Sequence, residues 1–265
     1  YEANGECVIP EIISDNLTLS KECSPYVAQG DVVVDSNVTL TIEPGVEIRM
    51  AEHGNMFIYG NLQAHGTESE RILFTLNPEY SGSEWGALCF MNNSSTSDLS
   101  YATVKNASKG PDPVRQSAAI SGFFSDLQLD HLIIDSIFQN PILGRYSDIT
   151  LTNSFLHSDI TGDLINVKYG HARIENCEFQ GNVHPDADAI DYDDVEDGVI
   201  RNCKIHSFYG LNCDAIDIGE NAVNIAIDSL IIYNITDKGI SVGQQSSATI
   251  RNCTFLNCNL GLGLK

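Results

Sequence analysis

Six stretches in the second half of the chain repeat one another, and their spacing restricts what the chain can fold into. Apolar anchors stand at Leu129, Leu151, Ile174, Ile200, Ile227 and Ile250, separated by 22, 23, 26, 27 and 23 residues. Two positions after each anchor come His131, Asn153, Asn176, Asn202, Ser229 and Asn252. Asn tolerates the left-handed backbone of a tight turn, so the column reads as an asparagine ladder, its amides expected to hydrogen-bond from one repeat to the next. Five positions after each anchor come Ile134, Leu156, Phe179, Ile205, Ile232 and Phe255, wholly apolar and expected to point inward. A second run then alternates with period two, with inward pairs Ile165/Val167, Ile190/Tyr192, Ile216/Ile218, Ile240/Val242 and Leu262/Leu264.

A period of 22–27 residues with short strands and almost no helix signal is one coil of a parallel β-helix, not an α-helical repeat. The fold class expected is all-β, a single-stranded parallel β-helix. The first half is less regular but compatible: 32–34, 39–42, 46–48, 57–59 and 72–75 read as short strands between Pro-Gly, His-Gly and similar turns. Residues 1–30 are expected to be an N-terminal cap and 31–265 the helix. The chain stops inside a strand of its last coil, so that end is expected to be uncapped, to be covered by a partner or to continue in a longer protein.

Four stretches carry a resemblance. Thr39-Leu-Thr-Ile-Glu-Pro-Gly-Val-Glu-Ile, Tyr59-Gly-Asn-Leu-Gln-Ala-His-Gly-Thr and Arg71-Ile-Leu-Phe-Thr, together with Glu84-Trp-Gly-Ala-Leu-Cys-Phe, resemble the opening of secreted bacterial right-handed β-helix (pectate-lyase-like) proteins. The resemblance implies a right-handed helix. It specifies fold rather than function, because such proteins include surface proteins, adhesins and enzymes.

Composition narrows the partners. Fourteen Lys and Arg against 36 Asp and Glu leave a formal net charge of -22, which argues against nucleic acid and anionic membranes. No apolar run approaches the ~20 residues of a membrane span. No signal peptide is present, so Tyr1 reads as the start of a mature or trimmed chain. Eight cysteines without a C-x-x-C pattern give no support to zinc-ribbon or thioredoxin-like chemistry. Cys7 and Cys23 flank the cap and are expected to pair. Cys177 and Cys203 fall in one inward column, where stacked thiols and a disulfide both remain open. Sequons at Asn16, Asn37, Asn92, Asn93, Asn106 and Asn234 favour an extracellular location, with Asn16, Asn37, Asn93, Asn106 and Asn234 as the glycosylation candidates. Asn252 belongs to the ladder, so its sequon is expected to be buried.

Two constellations stand out. Asp163, Asp188, Asp214 and Lys238 fall in one column before the second strand, and Asn166, Asp191, Asp217 and Ser241 in another on its outer face. Carboxylates in register repel and raise one another's pKa. Two readings stand side by side: a solvated acidic face, and Ca²⁺ held by Asp188, Asp191, Asp214 and Asp217. At the exit of the same strand, Arg145-Tyr146 and Lys168-Tyr169 fall at equivalent positions, continued by Asp193-Asp194 and Gly219-Glu220. A groove with a basic aromatic end and an acidic end is expected, with Arg145, Tyr146, Lys168 and Tyr169 as substrate-binding candidates. Ordinary charge pairing between coils is the alternative.

Asn212-Cys-Asp-Ala-Ile-Asp and Gly239-Ile-Ser-Val-Gly resemble fragments of polygalacturonase motifs. The adjacent Asp-Asp pair and the downstream Arg-Ile-Lys are missing, and Lys238 stands where those enzymes carry His. Resemblance to calcium-dependent polysaccharide lyases instead implies Lys238 as catalytic base beside a Ca²⁺ that neutralises a uronate. A base there needs a depressed pKa, whereas acidic neighbours raise it. The first expectation is therefore a non-catalytic extracellular module, surface, adhesive or filament-forming, with self-association or a second subunit at the last coil. A calcium-dependent lyase on uronic-acid glycans and a glycan-binding module using the same groove are the alternatives.

Overall fold

The computed structural model describes all residues except 1, 4, 5, 94 and 161. The chain winds as a right-handed parallel β-helix of about ten coils, each crossing three faces. In one coil of the second half, Phe155–His157 lies on the first face, Ile165–Lys168 on the second and Ala172–Glu175 on the third. The third face is a ten-stranded sheet, from Leu17–Leu19 to Ala248–Arg251. The other two faces join into one 21-stranded sheet, because Ile231–Val242 and Thr254–Leu264 each run unbroken round the corner between them.

The columns expected from the repeats are registered strand against strand. Leu129 pairs Leu151, then Ile174, Ile200, Ile227 and Ile250 along the third face. Ile134 leads through Leu156, Phe179, Ile205 and Ile232 to Phe255 on the first. Ile165, Ile190, Ile216, Ile240 and Leu262 do the same on the second. Inward residues merge into one core that runs from Cys7 to Val242. Register is fixed because a slip by one residue would turn each apolar column toward water.

Parallel pairing begins earlier than residue 31. Cys7-Val8, Ile12-Ile13 and Leu17–Leu19 already pair with the following coil, inside the stretch expected as a cap. Ahead of them Glu2–Ala3 pairs antiparallel with Glu6-Cys7. Cys7 and Cys23 are disulfide-bonded, with Cα atoms 5.8 Å apart, tying the first coil to the second.

The asparagine column works differently from the expectation. All six positions are left-handed, with φ between 51° and 60°. The links between coils are made by backbone: the N–H groups of His131, Asn153, Asn176, Asn202 and Ser229 donate to carbonyls of the next coil. Side-chain amides turn instead to acids, Asn153 donating to Asp130 and Asn252 to Asp228. Asn252 is exposed, so the expected burial of its sequon does not hold.

Candidate functional site

The outer side of the second face divides into two zones. In the first, Ala87, Cys89 and Met91 pack with Phe57 and Phe123 into a small apolar cluster. The loop after Asn106 lies over it, with Gln116 donating to the Met91 sulfur. In the second zone, from Asn166 to Ser241, the outer column is polar, following Leu143 in the coil before it.

Asp163, Asp188, Asp214 and Lys238 form a ladder along the corner that enters this face. Each carboxylate receives the backbone N–H of the next coil: Asp163 from Asp188 at 3.3 Å, Asp188 from Asp214 at 2.6 Å, Asp214 from Lys238 at 2.8 Å. The same acids that look like metal ligands in sequence therefore stitch the corner. Asn166, Asp191, Asp217 and Ser241 lie in register on the adjoining column, as expected. The Asn166 amide donates to both Asp163 and Asp191. Asn166 Oδ1, Asp217 Oδ1 and Ser241 Oγ are buried with no partner among the described residues.

Charge on this face is unevenly compensated. Lys168 pairs with Asp193, Lys238 with Asp214 and Asp237, and Lys265 with Asp217. Asp163, Asp188 and Asp191 make no close ion pair among the described residues, and Lys168 acts on Asp163 and Asp191 only from a distance. Burial, then the neighbouring Asp163, pushes the Asp188 carboxyl up to about 9. Burial, then Asp163 and Asp193, pushes Asp191 up to about 8. Burial also raises Asp163. Burial, more than repulsion between the carboxylates, thus favours the protonated form of all three. Among the described residues, no three His, Cys, Asp or Glu side chains are grouped as ligands of one metal ion. Asp188 and Asp214 also commit Oδ1 to backbone N–H groups. The four Asp residues expected as ligands share this face, Asp188 and Asp214 along the corner and Asp191 beside Asp217 on the adjoining column.

Lys238 is equally occupied. Its ammonium lies 3.2 Å from Asp214 and 2.5 Å from Asp237. Burial alone would lower it, but the ion pairs with Asp237 and Asp214 outweigh burial and raise it above the ordinary lysine range. At neutral pH it is a protonated structural cation, the opposite of a general base.

The expected groove is present at the corner where the second face turns into the third. It encloses about 500 Å³ and is lined by Arg145, Lys168, Tyr169, Asp193, Asp194 and Glu220, among others. Tyr146 is adjacent, stacked on Tyr169 with ring centroids 4.8 Å apart. Sequence reading missed Phe124, which extends the stack at 4.7 Å from Tyr146. All three sit at φ of 48–60°. Their N–H groups donate to the carbonyls of Arg145, Lys168 and Asp193, one coil further on. Bulky residues are uncommon in left-handed backbone, and here the coil-to-coil hydrogen bond holds them there. The signal in the sequence was an aromatic residue 22 positions before Tyr146.

One alignment needs correction. The N–H of Asp194 donates to the Glu220 carbonyl, as Tyr169 does to Asp193. Glu220, not Gly219, therefore continues the column of Arg145, Lys168 and Asp193. Asn221, at φ 57°, continues that of Tyr146, Tyr169 and Asp194. Gly219 is an inserted residue, its N–H turned back to the Tyr192 carbonyl.

Of the sequons, Asn16 and Asn37 are exposed, while Asn93, Asn106 and Asn234 are half-buried. Ser94, which completes the Asn92 sequon, lies outside the described residues. Cys177 and Cys203 are buried free thiols, as are Cys89 and Cys213.

Comparison with known proteins agrees with the geometry. The family model described as right handed beta helix region matches residues 140–265. Protein bark beetle of Drosophila melanogaster is 46% identical over 63 residues, 24% of this chain and 2% of that protein. The chain thus corresponds to a small fraction of that relative's length. Among solved structures, an alginate lyase from Paenibacillus sp. str. FPU-7 aligns over 86% of this chain and 93% of its own, at 8% identity and a TM-score of 0.22. A likeness that low carries no argument about activity. With coils running in register from Cys7 to Leu264, the chain has the right-handed parallel β-helix fold, and its second half matches the family model of that name.

Proposed function

We propose that this chain is a non-catalytic extracellular β-helix module whose polar second face and adjoining groove bind a partner rather than transform a substrate. The observation that carries this reading is the state of Lys238. The one residue at the position of a catalytic base is held by two carboxylates and raised in pKa. The acids beside it also hold the fold, Asp188 and Asp214 each accepting the backbone N–H of the next coil. The Cys7–Cys23 disulfide and the exposed sequons at Asn16 and Asn37 support an extracellular location.

Incubation with a panel of uronic-acid polysaccharides, with Ca²⁺ and with chelator, tests the reading. The expectation is no absorbance from unsaturated product and no new reducing ends. A calcium-dependent signal that disappears in Lys238→Ala would establish the lyase alternative instead.

A further inference from the structure

We propose that the groove beside Tyr169 is a subsite for a neutral sugar ring, which stacks as the next member of the aromatic ladder. The proposal rests on reading this face as a binding surface and goes on to name the ligand class. Phe124, Tyr146 and Tyr169 occupy one column of successive coils, with ring planes within 12° of parallel and centroids 4.7 and 4.8 Å apart. The column is a rack with one slot per coil, because the spacing of coils matches the spacing of stacked rings. The rack changes character after Tyr169: Asp194 and Asn221 stand at the next two positions with short polar side chains, and among the described residues no ring but that of Tyr146 stacks on Tyr169. Tyr169 is 41% exposed and borders the groove together with Asp194, Glu220 and Gln244 of the following coils.

A pyranose presents a C–H face to an aromatic ring and hydroxyls around its rim. At the rim of this slot stand Asp194, Glu220 and Gln244, which offer acceptors and an amide donor to hydroxyls. Asp194 and Glu220 carry no side-chain hydrogen bond or ion pair among the described residues, so both are free to take a ligand.

The charge of the groove decides between neutral and acidic sugars. Two of its three cations are already taken, Lys168 by Asp193 and Lys265 by Asp217. That leaves Arg145 against Asp194 and Glu220. Arg145 itself lies 5.5 Å from the Tyr169 ring centroid, where it braces the ring. A uronate carboxylate entering the slot meets two uncompensated carboxylates and one cation, whereas a neutral ring meets no net repulsion. The uronate expected from the lyase resemblance is thus disfavoured by the same groove.

Affinity electrophoresis tests this, run through gels containing neutral polysaccharides (β-glucan, galactan, mannan, xylan) or polygalacturonate. At least one neutral polymer should retard the protein, and retardation should persist in about 0.5 M salt, because no ion pair drives it. Tyr169→Ala should weaken it about tenfold, the size expected from a lost ring contact, and Tyr169→Phe should preserve it. Glu220→Ala, at an exposed turn, provides a second probe that does not touch the ladder and should weaken it as well. Retardation by polygalacturonate alone, by none of the polymers, or to the same degree in Tyr169→Ala would overturn the proposal. Shortening of a polymer during the run is a separate readout. It would sink the non-catalytic reading while leaving the slot to be judged by Tyr169→Ala.

Discussion

Replacing Asp191 by Asn should make this protein more stable, and more so as pH rises. Asp191 sits on the outer column of the second face between Asn166 and Asp217, its register partners on either side. Its carboxyl is pushed up to about 8 by burial, then by Asp163 and Asp193, whereas in the unfolded chain it titrates near 3.8. The folded state therefore binds a proton that the unfolded state releases. For a raised carboxyl the stability is fully present below the unfolded value and is lost as pH climbs through the folded one, so the window runs from 3.8 to about 8. Holding that proton at pH 7, about three pH units above the unfolded value, costs roughly 4 kcal/mol at most. Asn needs no proton. Its carbonyl still accepts from the Asn166 amide, and its own N–H groups face a column in which Asp217 Oδ1 lacks a partner. We expect a gain of about 1–4 kcal/mol at pH 7 and a much smaller one at pH 4.5, since the cost grows only above the unfolded value. Urea unfolding at pH 4.5, 6 and 7.5 measures it, with the exposed Glu196→Gln as a control for the change in net charge. A variant that is less stable than the wild type by the same amount at every pH would show that the carboxyl is ionised and structurally required, and would refute the reasoning.

The other expectations follow from the same inventory of charges and thiols. Lys238→Ala removes the cation from Asp214, whose side chain is only 6% exposed, and should cost about 3 kcal/mol, read as a lower urea midpoint. An unchanged midpoint would mean the ion pairs with Asp214 and Asp237 contribute nothing to the fold. Chelation should leave the melting temperature unmoved, because the acids of the second face are occupied by protons, lysines and backbone N–H groups. A rise of several degrees on adding Ca²⁺ would reveal a coordination sphere that side-chain movement assembles. Thiol titration of the denatured, unreduced protein should count six cysteines, with Cys89, Cys177, Cys203 and Cys213 silent until unfolding. A count of four would point to a second disulfide.

The groove and the acid ladder bear differently on function, though they share a face. The ladder is internal: its carboxylates hold the backbone of the next coil and the one lysine beside it. The groove is external, with an aromatic stack, an arginine braced on it and two carboxylates that make no hydrogen bond or ion pair among the described residues. A binding surface uses the second arrangement without disturbing the first. A lyase would need the first to give up its lysine, at the expense of the Asp214 and Asp237 ion pairs.

Much of this was legible in the chain itself. A β-helix places equivalent residues of successive coils side by side, so a period of 22–27 residues translates directly into columns. The inward columns of Leu129, Ile134 and Ile165 each follow from counting, and so do the face shared by Asp188 and Asp214 and the meeting of Arg145 with Lys168. Counting fails wherever a coil gains a residue or a side chain has a choice of partner. The insertion at Gly219 shifts Glu220 and Asn221 by one place, and only backbone hydrogen bonds reveal it. Whether Asn153 bonds to another Asn or to Asp130 depends on a fraction of a turn in side-chain direction. Whether Asp188 binds a cation, a proton or the N–H of Asp214 depends on desolvation and on distances of a few tenths of an ångström. The repeat determined which residues are neighbours. Tertiary structure alone decided which of their polar atoms are free, because burial and competing hydrogen bonds act on atoms that sequence spacing does not place.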